Sequence, residues 1–129
     1  MLRELSETRQ VPGDPKRRWF MSPRCDLIVW FRDDETVRGF QFCYDKDDIE
    51  HALTWVEGWG YSHMRVDTEG REQHPGSGTP LLVPDGTFDP NRLLDVFQKE
   101  CDLVPVDFVK LVSTRLQELA EADANANNT

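Results

Sequence analysis

From Cys25 to Arg32 the chain reads CDLIVWFR, a run rich in β-branched and aromatic residues. After the polar stretch Asp33-Asp34-Glu35-Thr36 it returns as Val37 to Asp45, VRGFQFCYD. Two such runs flanking a short polar turn predict an antiparallel hairpin. With Asp34 and Glu35 at the tip, Leu27 faces Phe42, Val29 faces Phe40 and Cys25 faces Tyr44, so one side of the hairpin is nearly all apolar. A one-residue slip would carry those side chains to the other side, so the pattern itself selects the register.

The same reasoning extends the sheet. Lys46-Asp47-Asp48-Ile49 turns the chain into Glu50 to Glu57, and a Gly58-Trp59 tip leads into Gly60 to Asp67. Phe42 then meets Leu53 and Phe40 meets Trp55 across the middle. A two-residue tip sets Leu53 against Met64 and Trp55 against Ser62. Arg17 to Met21 is a further short strand, ended by Ser22-Pro23, and Leu81-Leu82-Val83 is another. Thr68 to Pro80 has the composition of a flexible loop, and Pro84-Asp85-Gly86 that of a turn.

From residue 89 the period changes from two to between three and four. Asp89-Pro90 opens a helix, with Asp89 as N-cap, Pro90 in the first helical position and Phe88 stapling onto Leu93. This helix runs to about Glu100. A second starts near Pro105 and reaches about Ala122, with Phe108, Val109, Val112, Leu116 and Leu119 forming one stripe. Leu93, Leu94 and Phe97 form the matching stripe on the first. The expected fold is α+β: an antiparallel meander of four to five strands with two C-terminal helices packed on one face. Residues 1–15 read as a flexible basic arm, 16–122 as one domain and 123–129 as a disordered polar tail.

Once one sheet face is given to the helices, the other can be written out in rows. They are Trp30–Gly39–Val56–Tyr61, Ile28–Gln41–Thr54–His63 and Asp26–Cys43–Ala52–Arg65, with Glu50 and Asp67 beyond. Small side chains in the middle and large ones outside describe a shallow trough, the shape in which small ligands are held. Gln41 can hydrogen-bond a ligand, Arg65 can pair an anion, and Trp30 and Tyr61 can stack a ring. A plainer reading stands beside it. One face of an antiparallel sheet is commonly solvated, Trp30 can simply cover Gly39, and Asp26 and Arg65 can be ordinary surface charges.

Charge and chemistry narrow the function only by exclusion. The net charge is −9, with +3 on residues 1–24 and −12 on the rest. So acidic a body repels phosphate backbones and argues against nucleic acid. The basic segment, Arg17 and Arg18 above all, could dock a protein partner. It could equally be attracted to the acidic body. The start of the chain has no apolar signal region and no run of 18 apolar residues occurs, which argues against export and a membrane span. Three cysteines without CxxC spacing fit a reducing cytoplasm.

Other chemistry is sparse. Gly76-Ser77-Gly78 lacks the lysine and helix of a phosphate-binding loop. Of His51, His63, His74, Cys25 and Cys43, the first and fourth fall on the core side and the second and last on the other, so neither a metal site nor a Cys25–Cys43 disulfide is expected, and no cofactor. His63 is the one histidine in the trough and a candidate acid or base, although Asp67 is too far to orient it. The leading expectation is a cytoplasmic binding or accessory protein holding a small ligand or peptide on the sheet. Behind it stand a small enzyme using His63 with Arg65 holding an anionic substrate, an interaction module docking through Arg17 and Arg18, and a homodimer through the uncovered sheet.

Overall fold

The computed structural model describes residues 1–6, 12–13, 15–67, 81–84 and 88–127. The fold is α+β. Seven antiparallel strands follow one another in chain order, β1 (Arg3–Glu4), β2 (Lys16–Met21), β3 (Asp26–Phe31), β4 (Val37–Tyr44), β5 (His51–Val56), β6 (Gly60–Asp67) and β7 (Leu81–Pro84). Helices α1 (Pro90–Glu100) and α2 (Val106–Asn127) come after them. The sheet is therefore wider than the four to five strands expected. β1 is the one strand for which no segment is expected, two residues that carry no readable alternation.

The core lies between one face of the sheet and both helices. Phe20, Leu27, Val29, Phe40, Phe42, Leu53 and Trp55 point at Leu93 and Phe97 of α1 and at Phe108, Val112 and Leu116 of α2. The helical set is spaced by four residues, which stacks those side chains on one stripe. The Phe42 ring meets the Phe97 ring edge-on at 5.5 Å, tying the central strand to α1. At the start of α1, the Asp89 carboxylate accepts from the N–H groups of Asn91 and Arg92, and Pro90 occupies a position needing no donor.

The β3–β4 and β4–β5 registers follow the hydrophobic pattern, with Leu27 beside Phe42, Val29 beside Phe40, Phe42 beside Leu53 and Phe40 beside Trp55. The β5–β6 register differs by one residue. Leu53 pairs with His63 and Trp55 with Tyr61, because the turn holds three residues, Glu57-Gly58-Trp59. Trp59 N–H donates to Val56 O at 3.0 Å, and both Gly58 and Gly60 take positive φ. A three-residue loop with glycines in those conformations is a standard hairpin closure. The two-residue tip assumed from the sequence is corrected accordingly, and every β6 side chain changes face.

Residues 1–5, read as part of a loose arm, are docked. Leu2 is fully buried and its N–H donates to Glu100 O at 2.8 Å, while Arg3 and Glu4 pair with Met21 and Phe20. At the other end α2 continues to Asn127, beyond the last apolar residue of its stripe and into the segment read as a tail. The expected loop at Thr68 to Pro80 and the turn at Asp85-Gly86 lie outside the described residues.

Candidate functional site

Both helices cover the same side, so the opposite side of the sheet is its outer face. Its rows run Arg17–Trp30–Gly39–Val56–Gly60, Trp19–Ile28–Gln41–Thr54–Ser62 and Met21–Asp26–Cys43–Ala52–Met64. Trp30, Gln41 and Asp26 are where the strand pattern puts them. Tyr61, His63 and Arg65 are not, and the trough drawn from the sequence loses one wall.

Four residues of the outer face, Asp26, Gln41, Cys43 and Thr54, are already engaged with neighbours. Asp26, buried, takes an ion pair from Lys46 Nζ at 2.9 Å, and that ammonium also donates to Ser22 O. Gln41 Nε2 lies 3.3 Å from Cys43 Sγ, and its Oε1 accepts from the Thr54 hydroxyl at 3.3 Å. Trp19 and Trp30 are half-buried. A cavity of about 280 Å³ opens between Trp30, Thr54, Val56, Arg38 and Pro15.

On the helix side, Tyr61 leans over α2, its hydroxyl 3.3 Å from a Glu118 carboxylate oxygen and 3.5 Å from Arg115 O. Burial and the Glu118 carboxylate push its phenol above the usual range. Arg65 is exposed on that side. His63 lies between two rings, stacked on Phe88 at 4.3 Å and on His51 at 5.2 Å, with its Nε2 hydrogen-bonded to the Tyr44 hydroxyl. The Arg92 guanidinium covers Tyr44 at 5.8 Å and pairs with Asp45 at 2.7 Å. Stacked on Phe88 and bonded to Tyr44, His63 pins the segment before α1 to the sheet.

The separation of His51 from His63 by the pleat, expected from the sequence, is thus overturned, since they stack on one face. Even so, no group of three or more His, Cys, Asp or Glu side chains able to hold a metal occurs among the described residues, and His74 lies outside them. Arg17 and Arg18 fall on opposite sides. Arg17 sits over the Trp19 ring at 5.5 Å. Arg18 grips Glu4 through two hydrogen bonds of 2.7 and 2.6 Å and lies 5.1 Å from the Phe108 ring centroid. That double hydrogen bond holds the Glu4 carboxyl below its usual range and raises the Arg18 guanidinium.

The cysteines are all free thiols. Burial pushes Cys25 and Cys43 up to about 12 each. At pH 8 only roughly one in ten thousand of either would be thiolate, the reactive form. Ellman's reagent is expected to titrate Cys101 alone in the native protein, and all three thiols after denaturation in guanidinium. Reaction of Cys43 as fast as Cys101 would show that the outer face opens.

Arg38 is the residue that the strand pattern missed. Strict alternation puts it in the core row with Phe40 and Phe42 and puts Val37 outside. A cation in an apolar row was the available signal of an irregularity. The register indeed shifts there, with Trp30 paired to Gly39 and Phe31 to Val37, leaving Arg38 as an extra residue. The resulting bulge turns Val37 with Phe31 toward the core and Arg38 toward Trp30 on the outer face.

No family model, no curated protein and no solved structure matches this chain, so the functional reading rests on its own residues. No described helix is long and apolar enough to cross a membrane.

Proposed function

We propose that this is a binding or accessory protein that holds a small molecule or a peptide on the outer face of its sheet. The observation that carries the reading is the one-sided placement of the helices. The opposite face carries half-buried Trp19 and Trp30 beside buried Ile28, Cys43 and Ala52, and Trp30 walls a cavity of about 280 Å³. Aromatic walls with a few polar groups are the usual make-up of ligand sites. The Trp19 indole N–H supports it further, being buried with no hydrogen-bond partner among the described residues, an arrangement rare in structures that are complete on their own. Three free thiols fit a reducing compartment such as the cytoplasm.

The test is a thermal-shift screen of the purified protein against metabolites, nucleotides, short peptides and divalent metals. A ligand at about 100 times its dissociation constant adds roughly 2.7 kcal/mol of stability. Hits are expected to weaken in Gln41→Ala, compared at each variant's own unliganded melting temperature, since Gln41 also bonds Cys43 and Thr54. Hits indifferent to Gln41→Ala, and moving only the resonances of Tyr44, His51 and His63, would sink the reading.

One observation favours a second reading, a small enzyme with His63 as acid or base. The Tyr44 hydroxyl supplies a second titratable group in hydrogen-bond reach, and Arg65 stays on the same face as His63. That reading requires a hit that shifts the His63 ring signals and is turned over by the wild type but not by His63→Gln.

A further inference from the structure

We propose that the bulged Arg38 and its neighbour Trp30 form a binding site for a planar aromatic carboxylate. The proposal rests on the outer face being the ligand surface and names the chemistry that would occupy one part of it.

The backbone around Arg38 is held from two sides. Glu57 N–H donates to Arg38 O at 3.0 Å, and Arg32 Nη1 donates to Val37 O at 2.7 Å. The two carbonyls flanking the extra residue are thus fixed, which keeps its side chain aimed across the outer face. Bulges recur where a strand re-aims one side chain toward a site. The guanidinium has no hydrogen-bond or ion-pair partner among the described residues. Its neighbour Arg32 does, since Glu57 takes that charge at 3.1 Å.

The space beside Arg38 is largely apolar. Trp30 supplies an aromatic wall, Val56 and Pro15 supply aliphatic surface, and Thr54 a hydroxyl. A second cavity of about 410 Å³ adjoins it, sharing Pro15 and Arg38, with Arg32 and Asp33 also on its wall. Arg17, the β2 partner of Trp30, adds a further positive charge on the same face of a protein whose net charge is −9. About 280 Å³ is at the small end of ligand pockets, which run from roughly 300 to 1,000 Å³. It suits one or two fused rings and excludes a dinucleotide. A flat ring would stack on Trp30 while its carboxylate takes the planar fork of Arg38, an arrangement for which a guanidinium is well shaped. Arg38 is the one cation among the described residues lining this cavity and matches one negative charge, which favours a carboxylate over a phosphate.

The experiment is a titration of the full chain with naphthalene-2-carboxylate, followed by calorimetry and by the assigned indole N–H resonances. The uncharged naphthalene-2-carboxamide and 2-naphthyl phosphate serve as comparison probes. The carboxylate is expected to bind and to shift Trp30 more than the other three tryptophans. The carboxamide is expected to bind about tenfold more weakly, and so is the carboxylate to Arg38→Gln, as loss of a charge-assisted pair implies. Arg38→Lys should fall between, keeping the charge without the fork. Equal affinity for the carboxamide, unchanged binding to Arg38→Gln, tighter binding of the phosphate, or no shift at Trp30 would each overturn the proposal. If other ligands from the screen perturb Trp19 and Met64 while no carboxylate touches Trp30, this proposal falls and the outer face remains the ligand surface. If nothing binds the outer face, both fall.

Discussion

Replacing Phe42 with alanine is expected to lower the unfolding free energy by about 3–5 kcal/mol, the usual loss when a fully buried aromatic ring is removed from a core. Phe42 is fully buried on the central strand, with its ring edge-on to Phe97 at 5.5 Å and stacked on Tyr44 at 6.0 Å. Its Cα partners, Leu27 and Leu53, belong to the two flanking strands, so neither can move into the space without breaking ladder bonds. The cavity would therefore stay largely open. Against a total of about 5–15 kcal/mol for a typical domain, such a loss leaves a marginal fold. Urea unfolding followed by circular dichroism measures it. A loss under about 2 kcal/mol would mean that α1 collapses onto the sheet, and that the core is looser than its packing implies.

Gly39→Ala is expected to cost about 3 kcal/mol, although it adds only one methyl group. A Cβ at this position would lie 2.3 Å from Trp55 O and 3.1 Å from Val56 Cα, both backbone atoms of the adjacent strand. No rotamer change relieves such a clash. β4 and β5 would have to separate, and the bulge that aims Arg38 would be lost with them. Strand glycines often mark such close approaches of one backbone to another. The exposed Ser62→Ala serves as control and should stay within about 0.5 kcal/mol of wild type. If Gly39→Ala matched the control in chemical unfolding, the strands would be less tightly apposed here than the fold requires.

The central hairpins were legible because each position there carries a consistent vote. Leu27, Val29, Phe40, Phe42, Leu53 and Trp55 can share a face in only one register, and a slip in either pairing would expose aromatic rings. The helices were legible for a similar reason, with Asp89-Pro90 marking a start and Leu93, Phe97, Phe108, Val112 and Leu116 marking the buried stripes. β6 gave weaker votes. In GYSHMRVD either set of alternate residues mixes polar and apolar side chains, so turn length alone decided the register. The spacing Gly58-Trp59-Gly60 was the clue to a three-residue turn, since each glycine there supplies a positive φ.

Half of the candidate site moved with that turn. Tyr61, His63 and Arg65 went to the helix side, whereas Trp30, Gln41 and Asp26 stayed, because their strands were bound by unambiguous neighbours. Strict alternation sets Arg38 in a row with Phe40 and Phe42, and only the register shift between Trp30 and Phe31 takes the cation out of it. β1 lay beyond reach, as two residues have no period. Its docking depends on Leu2 finding the end of the core and on Arg18 gripping Glu4 from β2, a pairing across 14 positions that no local pattern reveals.

The brevity of β1 has a consequence for how copies of this chain meet. Arg3 and Glu4 pair only with the far end of β2, so among the described residues no strand borders the stretch Lys16-Arg17-Arg18. An edge strand is where another chain can add a strand to a sheet, the first step of amyloid-like growth. Here that border carries three consecutive cations. Two copies joining antiparallel about Arg17 would set Lys16 of each against Arg18 of the other, like charge on like charge. The basic run in an otherwise acidic chain thus opposes the addition of a second copy along this stretch of β2.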